Sequence, residues 1–271
     1  MIHVVVALPA EAKPLIQHFR LERRADNGPS PVYENEGMTL IVSGVGKTKA
    51  AAATAHLYDT AGMEPDCAWL NIGIAGDGNR TLGEGMLAHT IKDAATRRCW
   101  YPPLVFQPPC ETTSVLTVDT PASAYPEATS VDMEASAVYD TARRFSTSEL
   151  IHCFKIISDN HANPARSVSA ASAERLVAEK LDVIEIIVRQ LSQLAEELGR
   201  LRAPPSELKR FLRRWHFTVS ERHRLRQLLQ CWELRGHEQQ LLSAEFNTLN
   251  EASEVLALLE RRLQQLPVRL S

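Results

Sequence analysis

Ser130-Val131-Asp132-Met133-Glu134-Ala135-Ser136-Ala137-Val138-Tyr139 places two acids, one residue apart, where a short strand gives way to a helix. A helix N-terminus leaves backbone N–H groups unpaired and carries positive partial charge, so an acid there is favourable on local grounds alone. The carboxyl end of a strand is also where open α/β sheets place their ligands. Which reading holds for Glu134 depends on what else reaches that end of the sheet.

Working outward, strands alternate with helices. Ile2–Leu8 is a continuous Val-rich run, the pattern of a central strand covered on both faces. Pro9 and Ala10 turn the chain into a helix over Glu11–Phe19, so Glu11 stands where strand becomes helix. Val32–Glu36 and Thr39–Ser43 read as a hairpin joined at Glu36-Gly37, and an Ala-rich helix is expected over Lys49–Ala61. Between them, Gly46-Lys47-Thr48 imitates the end of a P-loop. The full motif needs glycine five residues before Gly46, where Ile41 stands, so a tight glycine turn is expected instead. Cys67–Ile72 is a buried strand running into the glycine-rich bend Gly73–Gly78, and Gly83–Ile91 is a further strand. Residues 93–114 hold Trp100, Tyr101 and four prolines and read as a long loop. Ser114–Val118 is a strand, the strand before Glu134 ends near Val131, and a helix then runs to about Phe145. Leu150–Ile157 is the last strand and ends in Ser158-Asp159-Asn160-His161. Ala170–Leu198 has Leu176, Leu181, Ile184, Ile187, Val188, Leu191, Leu194 and Leu198 at helical spacing, which predicts one long helix. Three strand ends thus carry an acid: Glu11, Glu134 and Asp159. Each also has a local explanation, Glu11 and Glu134 as first-turn helix acids and Asp159 as a turn cap.

Composition bounds these readings. The 271 residues suffice for one large α/β domain with an appendage. The formal net charge of −3 conceals a division: residues 1–199 carry 17 Lys and Arg against 25 Asp and Glu, whereas residues 200–235 carry 10 against 3. The five cysteines are scattered without a C-x-x-C pair, which argues against a disulfide framework or structural zinc and points to a reducing cytoplasm. The opening apolar run lacks a basic start and is short before Pro9, so it is expected to be a strand rather than a signal peptide. No apolar run reaches the ~18 residues a membrane helix needs.

Ala7-Leu8-Pro9-Ala10-Glu11, Ser43-Gly44-Val45-Gly46-Lys47, Asn71-Ile72-Gly73-Ile74-Ala75-Gly76, Val131-Asp132-Met133-Glu134-Ala135 and Ile157-Ser158-Asp159-Asn160 occur in this order. On these residues the chain resembles the purine-nucleoside phosphorylase/nucleosidase superfamily, with a closer likeness to the methylthioadenosine/S-adenosylhomocysteine nucleosidases. The resemblance covers residues 1 to about 190. It implies an α/β, three-layer phosphorylase-like fold with a mixed, partly barrel-like central sheet over residues 1–200; residues 201–271 lie outside the resemblance and read as an all-helical extension. It also implies cleavage of an N-ribosidic bond without metal or cofactor. By position, Asp159 is the acid on the purine side, required to be protonated near neutral pH, and Glu11 is the base that activates water. Burial raises a carboxyl pKa in the direction Asp159 needs. The implied substrate-binding residues are Met133, Glu134, Ser158, Ile74, Gly76 and Val118, with Glu134 accepting ribose hydroxyls. The nucleosidases usually have Ser where this chain has Ile74, and the segment between Val118 and Val131 is shorter than the family's base-recognition region. Superfamily phosphorylases hold phosphate with arginine, including one before the glycine-rich bend; here that position is Asn71, which favours water as nucleophile. Trp100, Tyr101 and Phe106 are candidates to cover the 5′ substituent, and a homodimer is implied.

Ala203-Pro204-Pro205-Ser206 marks a boundary. Helices are expected beyond it over Ser206–Arg214, Ser220–Leu234 and Glu238–Gln265. Lys209, Arg210, Arg213, Arg214, Arg222, Arg224 and Arg226 cluster there with Trp215, His216 and Phe217. This is a solvated basic face, a docking surface for an acidic protein, or a nucleic-acid surface with Trp215 and Phe217 as stacking groups. For residues 1 to about 190 the resemblance implies hydrolysis of an adenine nucleoside with an apolar 5′ group, namely methylthioadenosine, S-adenosylhomocysteine or 5′-deoxyadenosine. The alternatives are a phosphate-dependent phosphorylase and a non-catalytic nucleoside sensor carrying a helical interaction module.

Overall fold

All five residues of β1 (Ile2–Val6) are buried, as a strand covered on both faces must be. The computed structural model describes residues 1–25, 28–61, 67–121, 125–235 and 244–265. After β1 come α1 (Pro9–Phe19), β2 (Glu22–Arg23), β3 (Val32–Glu34), β4 (Met38–Val42) and α2 (Lys47–Thr60). Then follow β5 (Ala68–Gly76), β6 (Gly85–Asp93), β7 (Cys99–Trp100), β8 (Glu111–Thr117), β9 (Thr129–Asp132), α3 (Ala135–Ala142) and β10 (Ile151–Asp159). The chain ends in α4 (Ala170–Ala178), α5 (Leu181–Arg202), α6 (Leu208–Arg214), α7 (Val219–Leu234) and α8 (Ala252–Gln265).

The sheet is mixed and partly closed. β5 lies parallel to β1 and to β10, and it meets β9 antiparallel where Gly76 faces Val131. From β10 the pairing continues through β6, β8 and β9 back to β5, so five strands form a ring. β1, β4, β3 and β2 extend from β5 as an open sheet, and β7 adds to β6. Successive strand residues face opposite ways. Ile2, Val4 and Val6 therefore pack with Leu15 of α1, Val177 of α4 and Ile187 of α5. Val5 faces the other layer, with Ala53 and Leu57 of α2 and Val138 of α3. Three layers result, as the resemblance implied.

Several elements differ from expectation. β5 runs through the predicted bend to Gly76, because Gly73 and Gly76 serve as close-approach points within a strand: a Cβ on Gly73 would stand 3.1 Å from Glu11 Oε1. The expected loop over 93–114 contributes β7 and the start of β8. α3 stops at Ala142, and Phe145 stacks on Tyr58 with ring centroids 4.0 Å apart. The single long helix is two, α4 and α5. α4 ends at Ala178 and α5 begins at Leu181, with the Lys180 N–H donating to the Val177 carbonyl at 3.0 Å in the turn between them. The glycine turn before α2 is as expected, with Gly44 at φ 82° and Gly46 at φ 102°.

By contact the chain divides into Met1–Leu198 and Gly199–Ser271. In the second unit, α6, α7 and α8 enclose Phe211, Trp215, Phe217, Leu229, Trp232 and Leu259. Trp215 and Phe217 are core residues, and Trp215 Nε1 donates to the Leu249 carbonyl at 3.0 Å. They are not free to stack on bases, which corrects that expectation. Thr218 and Glu221 cap α7 reciprocally. The expected helix from Glu238 begins outside the described residues; within them, α8 starts at Ala252. No described helix is long and apolar enough to cross a membrane.

Two histidines are buried in the first unit. His3 Nδ1 bonds Thr39 Oγ1 at 2.5 Å, and its ring lies 4.5 Å from that of Trp69. His152 bonds the Glu149 carbonyl at 3.1 Å. Burial pushes both pKa values down to about 4. Folded histidines stay neutral where unfolded ones take a proton, so their contribution holds above pH 6.5 and is lost as pH falls toward 4. Urea unfolding should therefore lose up to about 3 kcal/mol per histidine across that window. His152→Leu should show a correspondingly shallower loss; an unchanged slope would count against a neutral buried His152.

Candidate active site

Glu11, Ile74, Gly76, Val118, Met133, Glu134, Ser158 and Asp159 all line one cavity of about 220 Å³. The residues to which the resemblance gave catalytic and substrate-binding parts are thus brought to one place. The carboxyl ends of β1, β5 and β10 converge there, since Val6 pairs Val42 of β4, Val5 pairs Asn71 of β5, and Asp159 is in register with Gly76.

Glu11 is the third residue of α1. Its Oε2 accepts the N–H groups of Leu8 at 2.8 Å and Ala7 at 3.0 Å. Its Oε1 accepts Ile74 N–H from β5 at 3.0 Å. The first-turn role and the cavity role therefore coexist in one side chain. Burial raises its pKa above the usual carboxylate range, although three backbone donors and Lys155 act against the rise.

The two acids of the opening stretch divide the work. Asp132 Oδ2 accepts the N–H groups of Ala135 at 2.7 Å and Glu134 at 3.2 Å, so Asp132 caps α3. Glu134 makes no cap. Its Oε1 instead accepts Gly46 N–H at 2.8 Å, from the glycine turn before α2. Burial raises the Glu134 pKa to about 7, with Lys155 pulling it down and Asp132 pushing it up.

Lys155 was not read from the sequence. It lies mid-strand in β10, only 1% exposed, with Nζ 2.8 Å from Asp132 Oδ2. Burial disfavours its charge, but Asp132 and Glu134 outweigh that and raise its pKa. The available signal was one cation inside the apolar run Ile151–Ile157.

Asp159 is not the turn cap; Asn160 is, its Oδ1 accepting Ala162 and Asn163 N–H groups. Asp159 Oδ1 accepts Ser158 Oγ–H, and Oδ2 accepts the Tyr125 hydroxyl, each at 2.5 Å. Gly76 makes room here, since a Cβ at that position would force the Asp159 carboxyl or the Tyr125 ring to shift. Tyr125 was also missed; it sits between two loop prolines' worth of featureless sequence. Asn71 is buried in the sheet, with Nδ2 on the Val5 carbonyl at 3.0 Å, and does not line the cavity. Trp100 packs near Tyr139, Phe106 packs near His152, and Tyr101 is 70% exposed. None of these three lines the cavity, which corrects their proposed covering role.

Solved structures share this architecture. The 5′-methylthioadenosine/S-adenosylhomocysteine nucleosidase from S. pneumoniae, with a transition-state inhibitor, superposes with a TM-score of 0.56 at 19% identity. The match covers 71% of this chain and 99% of that one. The Arabidopsis thaliana 5′-methylthioadenosine nucleosidase gives 0.55 at 19% identity, covering 69% and 95%. A futalosine hydrolase mutant of Helicobacter pylori gives 0.52 at 15% identity, covering 70% and 98%. No family model and no curated protein sequence matches the chain. The fold is the one that these solved nucleosidases share.

Carbon-detected NMR of the Glu134 carboxyl should give a titration midpoint near 7. Removing the neighbouring ammonium in Lys155→Met should raise that midpoint by about one unit or more. A midpoint in the ordinary glutamate range would refute the electrostatics described for this cavity.

Proposed function

We propose that this protein hydrolyses the N-ribosidic bond of an adenine nucleoside with an apolar 5′ group, such as methylthioadenosine, S-adenosylhomocysteine or 5′-deoxyadenosine. The observation that carries the reading is the meeting of Glu11, Glu134 and Asp159 around one mostly apolar cavity. Cleaving the bond from C1′ to N9 leaves electron deficiency on the sugar and an electron pair on the base. Asp159, on the base side and in its acid form, delivers its proton to N7 as that pair departs, and the proton that Glu11 takes up afterwards restores it. Glu11 takes a proton from the water that attacks C1′. Its Oε1 receives a single backbone bond, which leaves it room to accept one more. Glu134, with Oε1 held by Gly46, offers Oε2 to the ribose hydroxyls, and Met133 packs on the sugar. The products are adenine and the 5-substituted ribose.

Water is favoured over phosphate by charge. Among the described residues that line the cavity there is no arginine, and Lys155, the cation whose charge acts on Glu11 and Glu134, is already committed to Asp132. A phosphate dianion beside Glu11 and Glu134 would be buried without a partner.

The test is release of free adenine from these nucleosides, with and without phosphate. Phosphate-independent release is expected, and Asp159→Asn should slow it by about a hundredfold or more while leaving the thermal unfolding curve in place. Strict phosphate dependence, tight binding without turnover, or a fully active Asp159→Asn protein would each overturn the proposal.

A further inference from the structure

Both oxygens of Asp159 are occupied in the free protein. Ser158 takes Oδ1 from within the same strand end, whereas Tyr125 takes Oδ2 from the segment between β8 and β9. Tyr125 is the one aromatic side chain among the described residues that line the cavity. Space for its ring is built in: a Cβ on Gly76 would stand 2.5 Å from Tyr125 Cε1, and one on Gly78 would stand 3.1 Å from Tyr125 Cβ. The His161 ring holds it edge-on at 5.3 Å between centroids. The cavity's 220 Å³ falls below the roughly 300–1,000 Å³ typical of small-molecule sites.

We infer that Tyr125 is a further positioning residue of this site: its phenol occupies the place on Asp159 that a purine edge takes, and base binding exchanges one for the other. The inference rests on the nucleoside reading of the cavity. A phenol donor on Oδ2 keeps a buried acceptor satisfied until the base arrives, since an unpaired one is costly. The base must then replace that bond before it gains any of its own. Occupancy by Tyr125 thus lowers the apparent affinity of every base that uses Asp159, by the same factor for each. Displacing the ring also enlarges the cavity on the base side.

Tyr125→Phe keeps the ring and removes the competing donor. Calorimetry with adenine should show binding about tenfold tighter than wild type. Nucleoside kinetics should show kcat/KM raised by a similar factor, with the gain carried by KM. A direct readout comes from the wild-type protein labelled at tyrosine Cζ. It has five tyrosines, and the signal absent from Tyr125→Phe should shift when adenine saturates the site. Equal adenine affinity in the two proteins, a fall in kcat/KM, or an unmoved Tyr125 signal would overturn the inference while leaving the nucleoside reading intact. Failure of both proteins to bind adenine or any nucleoside would overturn the nucleoside reading and this inference together.

Discussion

The buried pair of Lys155 and Asp132 is the constraint on which the cavity depends. An ammonium in the middle of an apolar strand costs several kcal/mol unless it is paired with good geometry. Asp132 supplies that pairing at 2.8 Å, and its remaining bonds go to Thr117 Oγ1 and to the first N–H groups of α3. Because Asp132 caps the helix, the Glu134 side chain is released toward the cavity. The same ammonium opposes the rise that burial imposes on the pKa values of Glu11 and Glu134.

Sheet closure brings the rest together. The return of the pairing through β10, β6, β8 and β9 to β5 sets Asp132 and Asp159 beside the end of β5. Glycines then set the approach distances. Gly73 admits Glu11 and Lys155, Gly76 admits Asp159 and Tyr125, and Gly46 offers the N–H that orients Glu134. The cavity is therefore acid-rich at its polar points and apolar between them, which disfavours an anion.

Much of this was legible in the sequence, for identifiable reasons. Continuous apolar runs marked β1, β5 and β10, and the acids after β1 and β9 and at the end of β10 stood out because α/β sheets place ligands at such strand ends. The division of labour between Asp132 and Glu134 was not legible, because either acid could have capped α3 and only the position of Lys155 decides. Lys155 was visible as an anomaly, yet a strand pattern does not say which carboxylate its side chain meets. Tyr125 left no trace, since its contact with Asp159 is made across 34 residues by a segment without periodicity. In the second unit, aromatic residues among arginines suggested a stacking surface, whereas burial places Trp215 and Phe217 in the core. The break between α4 and α5 was concealed by a stripe that continues across Lys180.

Denaturant unfolding of Lys155→Met tests the central claim most directly. If one buried ammonium holds this arrangement, the substitution strands Asp132 without a cation and costs about 3–5 kcal/mol. Adding Asp132→Asn to the same protein should then recover a large part of the loss. A Lys155→Met protein as stable as wild type would contradict the account.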